Sequence, residues 1–134
     1  MSIRRQGFTF DTGMLIALER RHQRALQIHR EARLTGTPVT VPSPVIGEWW
    51  RGRTDLRDQI LASVRIEPLT EDIAKLAGLA CAKLKDVEAK LTIDAYLMSS
   101  AALRGDVVFT SDVQDLTRLQ AFFPNVRVFS VTTR

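Results

Sequence analysis

The chain has 134 residues, 45% of them hydrophobic, and a net charge of +4. That is the size of one ordinary domain, expected to span residues 1–134. It contains no apolar run of about 18 residues, so no membrane span is expected, and the N-terminal Met1-Ser2-Ile3-Arg4-Arg5-Gln6 is basic without a signal-peptide core. The single cysteine, Cys81, leaves no internal disulfide and fits a reducing cytoplasm. Residues 1–65 are rich in arginine, whereas residues 66–134 carry a slight acidic excess. This asymmetry suits a polyanion-binding surface beside an acidic site, although solvated helix faces give the same imbalance.

In chain order, Phe8, Thr9 and Phe10 predict a short buried strand. Met14, Leu15 and Leu18 share one face of a helix over 12–20, and a second helix runs over 23–34 until Gly36 and Pro38 stop it. Residues 39–41 predict the second strand. Pro42 and Pro44 open a short helix that carries Val45, Ile46, Glu48, Trp49 and Trp50. A helix over 56–63, a strand over 65–67 and a helix from the Thr70 cap to Leu84 follow. Residues 85–90 read as a polar loop, and residues 93–103 as a helix apolar nearly all round. Residues 107–110 predict the cleanest strand, 112–119 a helix and 126–129 a last strand. Five strands alternating with helices predict an α/β fold with a mostly parallel sheet covered on both faces.

The acids fall where such a sheet places its sites, outside the carboxyl ends of the strands. Asp11 follows the first strand, and Asp112 lies just past the fourth. Asp94 is expected in the first turn of an apolar helix. Glu48 sits among Ile46, Trp49 and Trp50, where an unpaired ionised acid is costly. Asp115 lies one turn after Asp112. Converging carboxylates with no matching base repel one another, and a hard divalent cation relieves that conflict. Two such ions could activate water and stabilise the leaving oxygen of a phosphodiester. Each Asp taken alone is also what helix capping and the helix dipole favour. Capping does not account for Glu48, nor for an acid after both the first and the fourth strand.

The spaced set Phe10-Asp11-Thr12, Val45-Ile46-Gly47-Glu48-Trp49-Trp50-Arg51-Gly52, Ile93-Asp94-Ala95 and Val108-Phe109-Thr110-Ser111-Asp112-Val113-Gln114-Asp115-Leu116 resembles the PIN domain. Within it, the chain is most similar to the VapC ribonuclease toxins of toxin–antitoxin pairs. The resemblance covers nearly the whole chain and rests on joint spacing. It implies a three-layer sandwich with a five-stranded parallel sheet in the order 3-2-1-4-5. It also implies an endoribonuclease dependent on Mg²⁺ or Mn²⁺, acting on transfer or ribosomal RNA, blocked by a VapB-type antitoxin and working as a homodimer. Asp11, Glu48, Asp94 and Asp112 match the family's acidic quartet. Of these, Asp11 and Asp94 are the expected ligands of a first ion, and Glu48 and Asp112 complete the cage. Thr110 matches the supporting hydroxyl and Asp115 an accessory acid. The chain departs from the family in its bulky Trp49-Trp50 pair and its charged 85–90 segment.

Arg51 and Arg53, with Trp49 as a stacking platform, are the best candidates for RNA contacts. Arg20, Arg21, Arg24, Arg30, Arg33 and Arg57 read mainly as exposed helix residues. His22 and His29 read as surface and Cys81 as packing. A phosphoacceptor receiver domain would need an acidic pair at the first strand, an acceptor Asp after the third and a Lys after the fifth, and this chain has none of these. A PIN-like interaction module would typically have lost acids of the site, and all four are present. A flap-type DNA nuclease would need DNA-binding additions for which this length leaves no room.

Overall fold

The computed structural model describes residues 6–85 and 87–132. The basic residues 1–5, Asp86 of the expected 85–90 loop, and residues 133–134 lie outside that description. Phe8–Phe10 forms β1, Val39–Pro42 β2, Arg65–Glu67 β3, Val107–Thr110 β4 and Val128–Ser130 β5. The helices are α1 (Thr12–Glu19), α2 (Gln23–Thr35), α3 (Ser43–Trp49), α4 (Asp55–Ala62), α5 (Glu71–Ala82), α6 (Ala89–Arg104) and α7 (Gln114–Gln120). The strands pair in the order β3-β2-β1-β4-β5, all parallel. That order rules out the receiver fold, whose sheet runs 2-1-3-4-5.

Side chains alternate across a strand, and β1 shows which helices cover which face. The Phe10 ring meets His29 of α2 edge to face, whereas the Thr9 hydroxyl on the other face accepts from Arg104 of α6. The sheet is thus a middle layer with α2 and α6 on opposite sides. Phe10, Met14, Leu15, Leu18, Val41 and Val108 are fully buried beside Leu97, Met98, Leu116 and Leu119. Burying one such side chain stabilises the fold by about 1.5–3 kcal/mol. α6 ends at Gly105, whose φ of +78° lets the chain turn directly into β4.

Two boundaries differ from the sequence reading in ways that matter. α6 starts at Ala89, not near Ile93, so Lys90 is helical rather than part of a loop. The polarity of Lys90 and Thr92 hides this turn, because α6 presents them away from the core. β5 is shifted to Val128–Ser130. Val126 is buried, but it belongs to the approach, and apolarity alone does not separate the two.

A buried polar network ties the sheet to α6. Arg104 donates to Asp106 at 2.9 Å, to the Ser100 hydroxyl at 2.6 Å and to Thr9 at 2.7 Å, and it pairs with Glu67 at 2.5 Å. Burial works to raise the Glu67 carboxyl, but the hydrogen bonds from Arg104 and Ser100 and the Arg104 charge outweigh it and hold it below the ordinary range.

Candidate active site

Asp11 ends β1 and caps α1, its Oδ1 accepting from the Met14 amide at 2.8 Å. The capping reading is therefore correct for Asp11, but it engages one face of a carboxylate that also lines a pocket. Asp94 caps nothing. It lies in the second turn of α6, is only 8% exposed and accepts no hydrogen bond from a described residue. Glu48, on α3, accepts from the Thr12 hydroxyl of α1. Asp112 is exposed just past β4, where its Oδ1 accepts from the Gln114 amide at 3.1 Å. Its own amide donates to the buried Thr110 hydroxyl at 3.0 Å. Asp115, in the first turn of α7, is held by Lys90.

These five acids, with Thr110 and Lys90, line one open pocket of about 480 Å³ at the carboxyl ends of β1 and β4. Gly13 makes the tight approach of α1 possible, because a Cβ there would stand 2.2 Å from the Ser111 Oγ.

The pocket's electrostatics are those of crowded acids. Burial pushes the Asp11 carboxyl up to about 6, against the lowering effect of hydrogen bonds from Thr110 and the Met14 amide, with Glu48 adding to the rise. Burial and then the Asp11 charge push Asp94 up to about 7, and Lys90 opposes them. The donors are all carboxylate and hydroxyl oxygens, which suit a hard divalent cation. Among the described residues, no three acid, His or Cys side chains are gathered closely enough to hold an ion unaided. A hard cation that keeps several of its own waters would need only one or two of these carboxylates.

Some sequence expectations need correction. Trp49 is 4% exposed, with its indole donating to Glu19 at 3.0 Å, so it is core and offers no stacking face. Trp50, edge to face with it, is the more exposed of the pair. Arg57 pairs with Glu19 at 2.8 Å and is largely covered. Arg53 pairs with Asp58 at 2.8 Å but stays exposed, and Arg51 bonds the Trp50 carbonyl at 2.7 Å. Neither Arg51 nor Arg53 lines the acid pocket. His29 is half-buried, bonded to the Ser63 hydroxyl at 2.9 Å and lowered by burial and then by Arg33, so it is not a surface residue. His22 likewise buries its Nδ1, which has no partner among the described residues. Cys81 packs partly buried against the core. The basic residue that does line the pocket is Lys90, assigned by sequence to a loop. Its spacing of four residues before Asp94 was the available signal.

The family model of the PIN domain matches residues 8–120. The chain belongs to the PIN-domain family. PIN domains are generally nucleases. No curated protein matches the chain in sequence. Among solved structures, the chain is similar to one in VapBC2 from Rickettsia felis bound to a promoter DNA fragment, with TM-score 0.71 and 12% identity over 92% of this chain and 97% of that one. It is similar to one in DNA-bound VapBC from Salmonella typhimurium, with TM-score 0.67 and 17% identity over 95% and 99%. A toxin–antitoxin complex from Klebsiella pneumoniae gives TM-score 0.64 and 18% identity over 93% and 98%. At these identities the likeness establishes the PIN fold and its five-stranded 3-2-1-4-5 sheet.

Proposed function

We propose that this PIN domain is a divalent-metal-dependent endoribonuclease of the VapC type, the toxin of a toxin–antitoxin pair. The carrying observation is the convergence of Asp11, Glu48, Asp94, Asp112 and Asp115 on one pocket from the β1–α1 junction, α3, α6, the β4–α7 link and α7. Asp11 and Asp94 would hold Mg²⁺ or Mn²⁺, with Glu48 and Asp112 completing the cage. The bound ion supplies Lewis acidity toward water and the phosphodiester. Thr110 fixes Asp11 and the Asp112 backbone, and Thr12 fixes Glu48, so the acids are oriented before substrate arrives. Water rather than the ribose 2′-hydroxyl would be the nucleophile, attacking phosphorus and expelling the 3′-oxygen. Cleavage then leaves 5′-phosphate and 3′-hydroxyl ends.

The neighbours that belong to VapBC complexes support a VapB-type antitoxin as partner and a second copy of this chain in the assembly. A pocket with this much negative charge would attract an inserted Arg or Lys from such a partner. Arg51, free of acidic partners among the described residues, and exposed Arg53 remain the candidates for RNA phosphates beyond the pocket. The test incubates purified chain with total RNA in Mg²⁺ or Mn²⁺, with and without EDTA. Metal-dependent cleavage with 5′-phosphate ends is expected. Undiminished cleavage in EDTA, or 2′,3′-cyclic phosphate ends, would sink the reading.

A further inference from the structure

Lys90 stands where helix electrostatics disfavour it. It is the second residue of α6, at the positive end of the helix dipole, where acids are preferred. The ordinary arrangement appears at α5, whose first turn carries Glu71 and Asp72. Lys90 is the one basic residue among those lining the acid pocket. It lies one turn before Asp94 on the same helix face and reaches across to pair with Asp115 of α7. Its charge acts on Asp11, Asp94 and Glu48 as well. Its ammonium is thus held by acids from across the pocket, despite the helix that carries it.

The pocket acids are not equally free to take a metal. Glu48 is engaged by Thr12, Asp112 by the Gln114 amide and Asp115 by Lys90. Asp94 has no such partner, and Asp11 beside it raises its affinity for protons. The Asp115 side also opens on an adjoining cleft whose charged lining is Glu88, Lys90, Asp94, Asp115 and Arg118. Among the described residues, the Arg118 guanidinium there bonds a neutral group, the Lys85 carbonyl, at 2.7 Å. The basic residues that line the pocket and this cleft therefore lie toward Asp115, whereas Asp11 and Asp94 form no ion pair with a described residue.

We propose that Lys90 is a built-in second cation: it holds the Asp115 side of the pocket and leaves the Asp11–Asp94 side to a single divalent ion. This deepens the metal-dependent reading above and rests on it. Two-ion sites bring two divalent ions to within about 3.5–4 Å of one another. Here an ammonium already occupies one flank, and a second divalent ion would have to displace it from Asp115. Like-charge repulsion in a partly desolvated pocket opposes that displacement. Lys90 is a positioning residue in this scheme, because it sets how many ions the acids accept.

The experiment counts Mn²⁺ bound per chain by equilibrium dialysis at neutral pH, without RNA, for the wild type, Lys90→Met, Lys90→Arg and the double variant Lys90→Met/Asp115→Asn. Circular dichroism checks folding, which the 57% exposure of the Lys90 side chain leaves at little risk. One ion is expected in the wild type and in Lys90→Arg, two in Lys90→Met, and one again in the double variant. Two ions in the wild type, or one in Lys90→Met, would overturn the role of Lys90 while leaving the nuclease reading intact. No ion in any variant would overturn both.

Discussion

Asp94 holds its proton more tightly because the ionised carboxylate of Asp11 stands beside it: burial comes first and the Asp11 charge second, and together they raise Asp94 to about 7. The two residues reach each other from different elements, Asp11 at the end of β1 and Asp94 in the second turn of α6. The cation that lines the same pocket, Lys90, is paired with Asp115 instead.

Asp94→Asn keeps the shape of the side chain and removes its charge. Cleavage should fall by at least about a hundredfold, since losing even an outer-shell partner of a metal ligand costs about 10–100-fold. The metal-free protein should be as stable as the wild type or more so at neutral pH, because one like-charge contact is relieved. Parallel RNA cleavage and thermal melts test this. An unfolded variant whose residual folded fraction cleaves normally would make Asp94 a structural residue.

The raised acids also set a pH dependence. Asp11 and Asp94 titrate higher in the folded chain than their ordinary value of 3.8. Between pH 3.8 and about 7 the folded state therefore binds more protons than the unfolded state, and stability falls as pH rises through that window. His29, lowered in the folded chain, contributes the opposite slope near its ordinary value of 6.5, so the comparison is with Asp94→Asn: melts of metal-free protein should show the wild type losing Tm relative to that variant from about pH 5 to about pH 8. Added Mg²⁺ should raise Tm more at the upper end, where both carboxylates are ionised. A Tm difference between the two proteins that stays constant across this range would contradict the assignment.

Arg104 joins Thr9, Asp106, Glu67 and Ser100 in one network with a side chain only 13% exposed. Arg104→Met leaves Glu67 and Asp106 without their cation and should cost about 3–5 kcal/mol. Urea unfolding measures it, with Arg104→Lys expected to recover part of the loss. A loss within about 0.5 kcal/mol, as at ordinary surface sites, would show that the network is dispensable.

Gly13 tests the closeness of α1 to the segment after β4. Gly13→Ala would place a Cβ 2.2 Å from the Ser111 Oγ and 3.1 Å from the Ser111 amide, so the hydroxyl must rotate and the backbone beside Asp112 must give by a few tenths of an ångström. Activity should drop more than Tm does, and Ser111→Gly in the same chain should restore much of it. Equal damage in the single and double variants would place the cause elsewhere.

How legible the protein was depended on the range of each interaction. The alternation of Phe8, Thr9 and Phe10, the helical faces of Leu15 and Leu18, and the stop at Gly36 and Pro38 are local patterns, because strand and helix periods and their breakers are properties of neighbouring residues. Those patterns, with the spacing of Asp11, Glu48, Asp94 and Asp112, were enough to determine the element order and to bring out the PIN resemblance. Whether Trp49 or Trp50 faces the core was not decided locally, since they are adjacent at the end of one short helix; Glu19 and the packing of α1 chose Trp49. The Arg104 network needs β1, β3, β4 and α6 together, and no window of sequence contains them. Lys90 shows the same limit. Its polarity made the first turn of α6 look like loop, and only the packing of α7 against α6 brought Asp115 within reach of its ammonium. The chain order of the acids was written in the sequence, but their mutual repulsion and the one lysine among them exist only when the sheet has gathered its helices, because charge acts through space rather than along the chain.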